Sequence, residues 1–284
     1  MIRKNRLMSK AEHIKSITKK IQSLPTLPPV VKKLTKMVES PDVTARDLGK
    51  LISSDQVLSA KVLKLVNSPF YGFPGRISSI SHAIILLGFN VIKGVVLSAS
   101  VFDLMEQSMV GLWEHSLACA IVAGTISRVL DIPEPEEVST AALLHDIGKV
   151  VVKVSMPIEY DKIVDRIEKF QCSFREAERE IIGTDHSEIG GWLCDEWNLP
   201  WRLSIPVMYH HKPNEAPKTK DRVAVVHLAD ALVRAFDIGS GGDPFVPVVM
   251  DEAWNTLGMW DRDVDDLIRR AYMDIQEVDN FKLG

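Results

Sequence analysis

Apolar residues recur at helical spacing along almost the whole chain, while two-residue alternation is nearly absent. A chain with that pattern must bury a stripe of each helix against other helices, which predicts an all-α architecture. Val57, Leu58, Val62, Leu65 and Val66 define one such stripe, and Val91, Val95 and Val96 another. Val150 to Val154 is β-branched and strand-like alone, but it continues a helical pattern and has no partner run. The breaks are marked as clearly as the helices. Ser40-Pro41-Asp42 stops one helix, Gly88 ends another, and Thr44 with Asp47, then Asp55, read as caps. Helices are expected over residues 112–130, 137–149, 157–170, 201–211, 221–236 and 261–278, with another from a cap at Asp185 to Glu196. Pro213, Pro217 and Gly239-Ser240-Gly241-Gly242 mark loops.

A change in chemistry divides the 284 residues near positions 106–111. Residues 1–108 read as an N-terminal helical bundle subdomain of short helices without catalytic chemistry, suited to an adaptor. Its first 22 residues form a basic amphipathic lead-in: Arg3, Lys4, Arg6, Lys10, Lys15, Lys19 and Lys20 lie over Ile14, Ile17 and Ile21. Residues 109–284 carry six of the eight histidines. Lys plus Arg total 34 against 38 acidic residues, a net charge of −4, which argues against a dedicated nucleic-acid binder. No apolar run reads as a membrane span, and the beginning of the sequence lacks a signal-peptide core. Cys119, Cys172 and Cys194 form no paired motif, which fits a reducing, cytoplasmic setting.

His145-Asp146 lies near the end of an apolar helix, in Leu143-Leu144-His145-Asp146-Ile147-Gly148-Lys149. A carboxylate buried beside an imidazole costs several kcal/mol unless a cation or hydrogen bonds compensate. A divalent metal supplies that compensation, and imidazole with carboxylate suits Fe, Mn, Zn or Ni. Asp230, in an otherwise apolar helix after Val223, poses the same problem. His115, His186, His210 and His211 sit at helix ends where a shared site could use them. Taken singly, each is more commonly a hydrogen-bonded core residue.

In order, His115, His145-Asp146 and Asp230 resemble the HD superfamily of metal-dependent phosphohydrolases. The closer resemblance is to its HDOD branch, the HD-related output domains of bacterial signalling proteins. Leu24-Pro25-Thr26-Leu27-Pro28, Val66-Asn67-Ser68-Pro69-Phe70-Tyr71-Gly72, Gly183-Thr184-Asp185-His186-Ser187-Glu188 and His210-His211-Lys212-Pro213 carry it. The resemblance implies an HD-type metal-binding helical domain after the N-terminal bundle. Its members usually act as regulatory modules, many with part of the metal site lost.

Here the ligand positions match those of binuclear HD enzymes, the HD-GYP phosphodiesterases among them. The resemblance then implies one ion on His115, His145, Asp146 and Asp230, and a second on Asp146, His186, His210 and His211, with Asp146 bridging. Two Fe or Mn ions are expected, with Zn or Ni as alternatives. Water activated between them would attack phosphorus, and Lys149 would neutralise a phosphate oxygen. The implied partners are a nucleotide-type phosphate ester and a signalling protein bound through the N-terminal part. The alternative is a non-catalytic scaffold or ligand-binding module with a structural or vestigial metal site. The Gly-Tyr-Pro loop of the HD-GYP type is absent, and Lys212-Pro213 follows the paired histidines where that type has a glutamate.

Overall fold

Caps and glycines cut the chain where the sequence marks them, and tertiary contacts add the remaining breaks. The computed structural model describes residues 43–276 apart from 69–70, 72, 74–75 and 263, together with Lys33, Leu34 and Met37. The basic lead-in and the Leu24 to Pro28 motif lie outside the described residues.

Among the described residues every regular element is helical. Helix α1 (Ala45–Ser53) starts in a reciprocal cap between Thr44 and Asp47, and α2 (Gln56–Val66) starts on the Asp55 carboxylate. Helix α3 (Ile80–Ser108) carries the expected break at Gly88, whose φ of 78° kinks the rod without ending it. Against the expectation that no apolar run reads as a membrane span, its stretch Ile80–Ser100 has the length and apolar composition of one. Just over half of that stretch, 56%, is buried in the protein.

Next come α4 (Leu112–Val129), α5 (Pro135–Leu144), α6 (Ile147–Ser155), α7 (Pro157–Phe170) and α8 (Phe174–Ile181). They are followed by α9 (His186–Glu196), α10 (Trp201–Tyr209), α11 (Lys220–Ala235), α12 (Asp251–Thr256) and α13 (Val264–Gln276). The expected helix over 137–149 is in fact two, broken at His145-Asp146 (Asp146 φ −98°, ψ 7°). Just after the break the backbone runs close to α9: a Cβ on Gly148 would stand 2.0 Å from the His186 carbonyl oxygen. Helices α8 and α12 had no counterpart in the expectation, although Ser173 and Glu176 form a reciprocal cap that announces α8.

Helix α4 is the centre of the molecule. Leu117 through Ser127 are all buried, because α5, α11 and α13 pack around it. A helix enclosed in this way must be apolar all round, as α4 is from Leu117 to Gly124. Helices α9 and α10 pack together, α6 lies against α9, and α3 lies across α5. The buried apolar residues form one cluster that includes Val62 and Ile92 as well as Ala118 and Val226.

Candidate metal centre

Five helix ends and one helix middle converge on a single buried point. His115 comes from the first turn of α4, His145 and Asp146 from the joint between α5 and α6, and His186 from the first residue of α9. His210 and His211 follow α10 directly, and Asp230 projects from the middle of α11. All are buried except His211, which is partly exposed.

His115 Nε2 lies 3.1 Å from Asp230 Oδ1 and 3.7 Å from Asp146 Oδ2. His145 Nε2 is 3.5 Å from Asp146 Oδ2 and 3.8 Å from Asp230 Oδ1. On the other side, His186 Nε2 is 3.3 Å from Asp146 Oδ1 and 2.9 Å from His211 Nε2. Donor atoms fall into three overlapping groups, each spanning no more than 4.8 Å. These are His115, Cys119, His145 and Asp230; His145, Asp146 and His210; and His186, His210 and His211. His210 therefore lies between the two halves of the site.

The backbone decides which ring nitrogen is free. His145 Nδ1 is 2.7 Å from the Ala142 carbonyl, and His210 Nδ1 is 2.8 Å from the Val207 carbonyl. A carbonyl can only accept, so each Nδ1 carries the proton and each Nε2 a lone pair. Those two Nε2 atoms and Asp146 Oδ1 are buried without a hydrogen-bond partner. His186 is oriented by Glu178, whose Oε2 lies 2.6 Å from Nδ1 and accepts from the His186 backbone N–H at 2.8 Å. Carboxylate or carbonyl on Nδ1, with Nε2 turned inward, is how proteins present histidine to a metal. His227 differs: Nδ1 donates to the His210 carbonyl at 2.8 Å, and Nε2 accepts from the Met250 N–H at 3.1 Å. Both its nitrogens are used, so it braces His210 and offers no ligand atom.

Charge is arranged to suit cations. Burial opposes ionisation of Asp146, yet His145, Lys149 and His115 hold its carboxyl well below the usual range. Burial likewise opposes ionisation of Asp230, and Arg234 and His115 hold its carboxyl low. Burial pushes His145, His186 and His211 below the ordinary imidazole range and His210 down to about 3. Lys149 Nζ donates to Asp146 Oδ2 and to the Gly241 carbonyl, both at 2.7 Å. Arg234 Nε donates to Asp230 Oδ1 at 2.7 Å and its guanidinium pairs with Asp243.

The loop of residues 239–243 forms a wall of the site. Gly239, at φ 64°, passes so close to His115 that a Cβ would stand 2.3 Å from the His115 backbone nitrogen. Asp243 accepts from the Phe174 N–H at 2.5 Å and so ties the loop to the start of α8. Glu178 and Arg234 were not singled out from the sequence, and Cys119 and this loop were read there without a part in the site. Arg234 and Cys119 did carry a signal, each lying one helical turn after a candidate ligand. Glu178 carried none, because its link to His186 crosses between two helices.

Residues 24–213 match the HDOD domain family. An HDOD domain protein of unknown function from Geobacter sulfurreducens is 28% identical and superposes with a TM-score of 0.72, covering 97% of this chain and 100% of that one. A candidate phosphohydrolase from Shewanella amazonensis has the same fold at 22% identity and a TM-score of 0.67, over 94% of this chain and 98% of that one. An uncharacterised protein of Treponema pallidum is 27% identical over 227 residues, 78% of this chain. The chain spans 44% of that relative's length. Asp230 lies beyond the matched residues, yet it stands among the same histidines. The chain belongs to the HDOD domain family.

Proposed function

We propose that this chain is a cytoplasmic signal-transduction HDOD protein that retains a binuclear metal site and hydrolyses a nucleotide-type phosphate ester. One observation carries the metal part of the reading. His145 Nε2, His210 Nε2 and Asp146 Oδ1 are buried lone-pair donors with no hydrogen-bond partner, in a cluster whose other faces are fixed by hydrogen bonds. Leaving such atoms unpaired costs about 1–3 kcal/mol each, so the arrangement is accounted for by a ligand that accepts lone pairs.

The residues fit two ions, with His115, His145, Asp146 and Asp230 on one side and Asp146, His186, His210 and His211 on the other. Fe or Mn suits such a set, Zn or Ni less well. Two ions bound there would supply Lewis acidity and a water acidified toward neutrality. The chain's own residues do the rest. Glu178 and the Ala142 and Val207 carbonyls hold the imidazoles in the metal-ready tautomer, and Arg234 keeps Asp230 ionised. Lys149 fixes Asp146, and its remaining hydrogen is left for a phosphate oxygen. His211 is the partly exposed edge of the cluster, so substrate is expected to enter on that side.

A second reading has an observation of its own. Lys149 Nζ is already held by Asp146 and Gly241, and the loop of residues 239–243 lies against His115. That closure would suit a structural metal in a scaffold whose N-terminal part binds a signalling protein. Metal content of protein purified without added metal, followed by hydrolysis assays on bis-(p-nitrophenyl) phosphate and a nucleotide panel, separates these readings. Two metals with turnover supports the enzyme, and two metals without turnover supports the scaffold. Absence of metal removes both.

A further inference from the structure

Helix α4 offers the site a second side chain besides His115. Cys119 lies four residues later on the same face, fully buried, with Sγ 3.6 Å from His115 Nε2. Sγ also lies within 4.8 Å of the donor atoms of His145 and Asp230. We propose that Cys119 is a ligand of the first ion, making that position a mixed nitrogen, oxygen and sulfur site of His115, Cys119, His145 and Asp230, reached by Asp146 as the bridge. The proposal deepens the metal reading above and rests on it.

Three observations carry it. The first is distance. On one ion, a sulfur at about 2.3 Å and an imidazole nitrogen at about 2.1 Å lie about 3.6 Å apart when the angle between them is about 110°. The Cys119–His115 separation already has that value, without any rotamer change. The second is the unsatisfied, fully buried His145 Nε2, which belongs to the same group of donors and points to a missing acceptor. The third is contrast. Cys194 is equally buried, but among the described residues it belongs to no donor group. As a small hydrophobe alone, Cys119 would be interchangeable with the alanines around it on α4. Coordination here is an acid–base step without redox change: the thiol proton leaves to solvent and a sulfur lone pair forms the new bond. A thiolate in the shell makes the first position favour Fe or Zn over Mn. The second position, lined by histidines and Asp146 alone, keeps no such preference.

Cobalt(II) added to the full-length, metal-stripped protein under anaerobic conditions tests the assignment. The expected result is a sulfur-to-cobalt charge-transfer band that appears in wild type, Cys172→Ser and Cys194→Ser and vanishes in Cys119→Ser. X-ray absorption of the wild-type cobalt protein should show a sulfur neighbour at about 2.3 Å. That measurement decides the matter even if Cys119→Ser fails to fold. Bound cobalt with d–d bands but no sulfur neighbour would overturn the Cys119 assignment and leave the metal site standing. A band that persists in Cys119→Ser would overturn it as well. No cobalt bound by wild type would remove both the assignment and the metal reading.

Discussion

Asp146 faces histidines from two sides, with Oδ2 toward His115 and His145 and Oδ1 toward His186. If it bridges two ions, Asp146→Ala should empty the site, whereas His186→Ala should lower metal content by about one ion of two. Elemental analysis of wild type and both variants checks this, and equal metal in all three would end the bridging reading. Glu178 acts one step further out. Glu178→Gln leaves His186 without its carboxylate partner and should weaken metal affinity about 10- to 100-fold, as read by competition with a chelator. Protons act in the same sense. Burial holds His145, His186, His210 and His211 below the value they would have unfolded, so the unfolded chain binds protons first as pH falls. Stability of the metal-free protein should therefore drop below about pH 6.5, by on the order of 1 kcal/mol per pH unit for each histidine, down to the folded values. Asp146 and Asp230, held low in the folded state, add to the loss below about pH 4. Urea midpoints measured from about pH 8 to pH 5 would show it, and a flat profile would mean these rings do not stay neutral when folded.

Between residue and fold, the α5–α6 joint shows what a sequence can and cannot display. The apolar pattern through Ala141, Leu144 and Val151 reads as one continuous helix, because each segment alone prefers to be helical. Just after the break α6 meets α9, far along the chain, where the Gly148 backbone presses on the His186 carbonyl. Local periodicity does not encode that approach, although the presence of glycine there is its trace. The caps at Thr44, Asp55 and Asp185 were legible because their partners lie three residues away, within the same turn. The contact makes Gly148→Ala a sharp test. Alanine would gain about 1 kcal/mol of helix propensity but meet backbone at 2.0 Å, so a net cost of about 2 kcal/mol or more is expected, together with weaker metal binding through His186. Gly190 is the control. A Cβ there comes no nearer than 3.0 Å to Val207 Cγ1 and 3.5 Å to the Gly148 nitrogen, and Gly190→Ala should cost much less. Comparable urea midpoints for the two variants would mean the joint is not set by this contact.

At the scale of the whole molecule, the chemistry and the core divide the chain differently. Every candidate ligand lies after residue 109, and the change of character that the sequence shows at 106–111 falls on the short link between α3 and α4. The buried apolar cluster nevertheless runs through both sides. Gly94 of α3 lies so near Thr140 of α5 that a Cβ would meet its methyl at 2.3 Å, and Tyr71 Oη lies 3.3 Å from Thr140 Oγ1. Lys93 Nζ, buried in α3, donates to the Asn198 carbonyl at 2.7 Å. We propose that the boundary separates roles, with metal binding after it and partner binding before it, while folding is shared across it. A fragment of residues 109–284 would keep all the donors but expose the faces of α4, α5 and α6 that α3 now covers. It should therefore melt several degrees below the full chain and bind metal more weakly, whereas a fragment ending at residue 108 should bind none. Calorimetry of the full chain should correspondingly show a single transition. Two separated transitions, with a 109–284 fragment as stable and as metal-rich as the whole, would instead establish two domains that fold independently and merely touch.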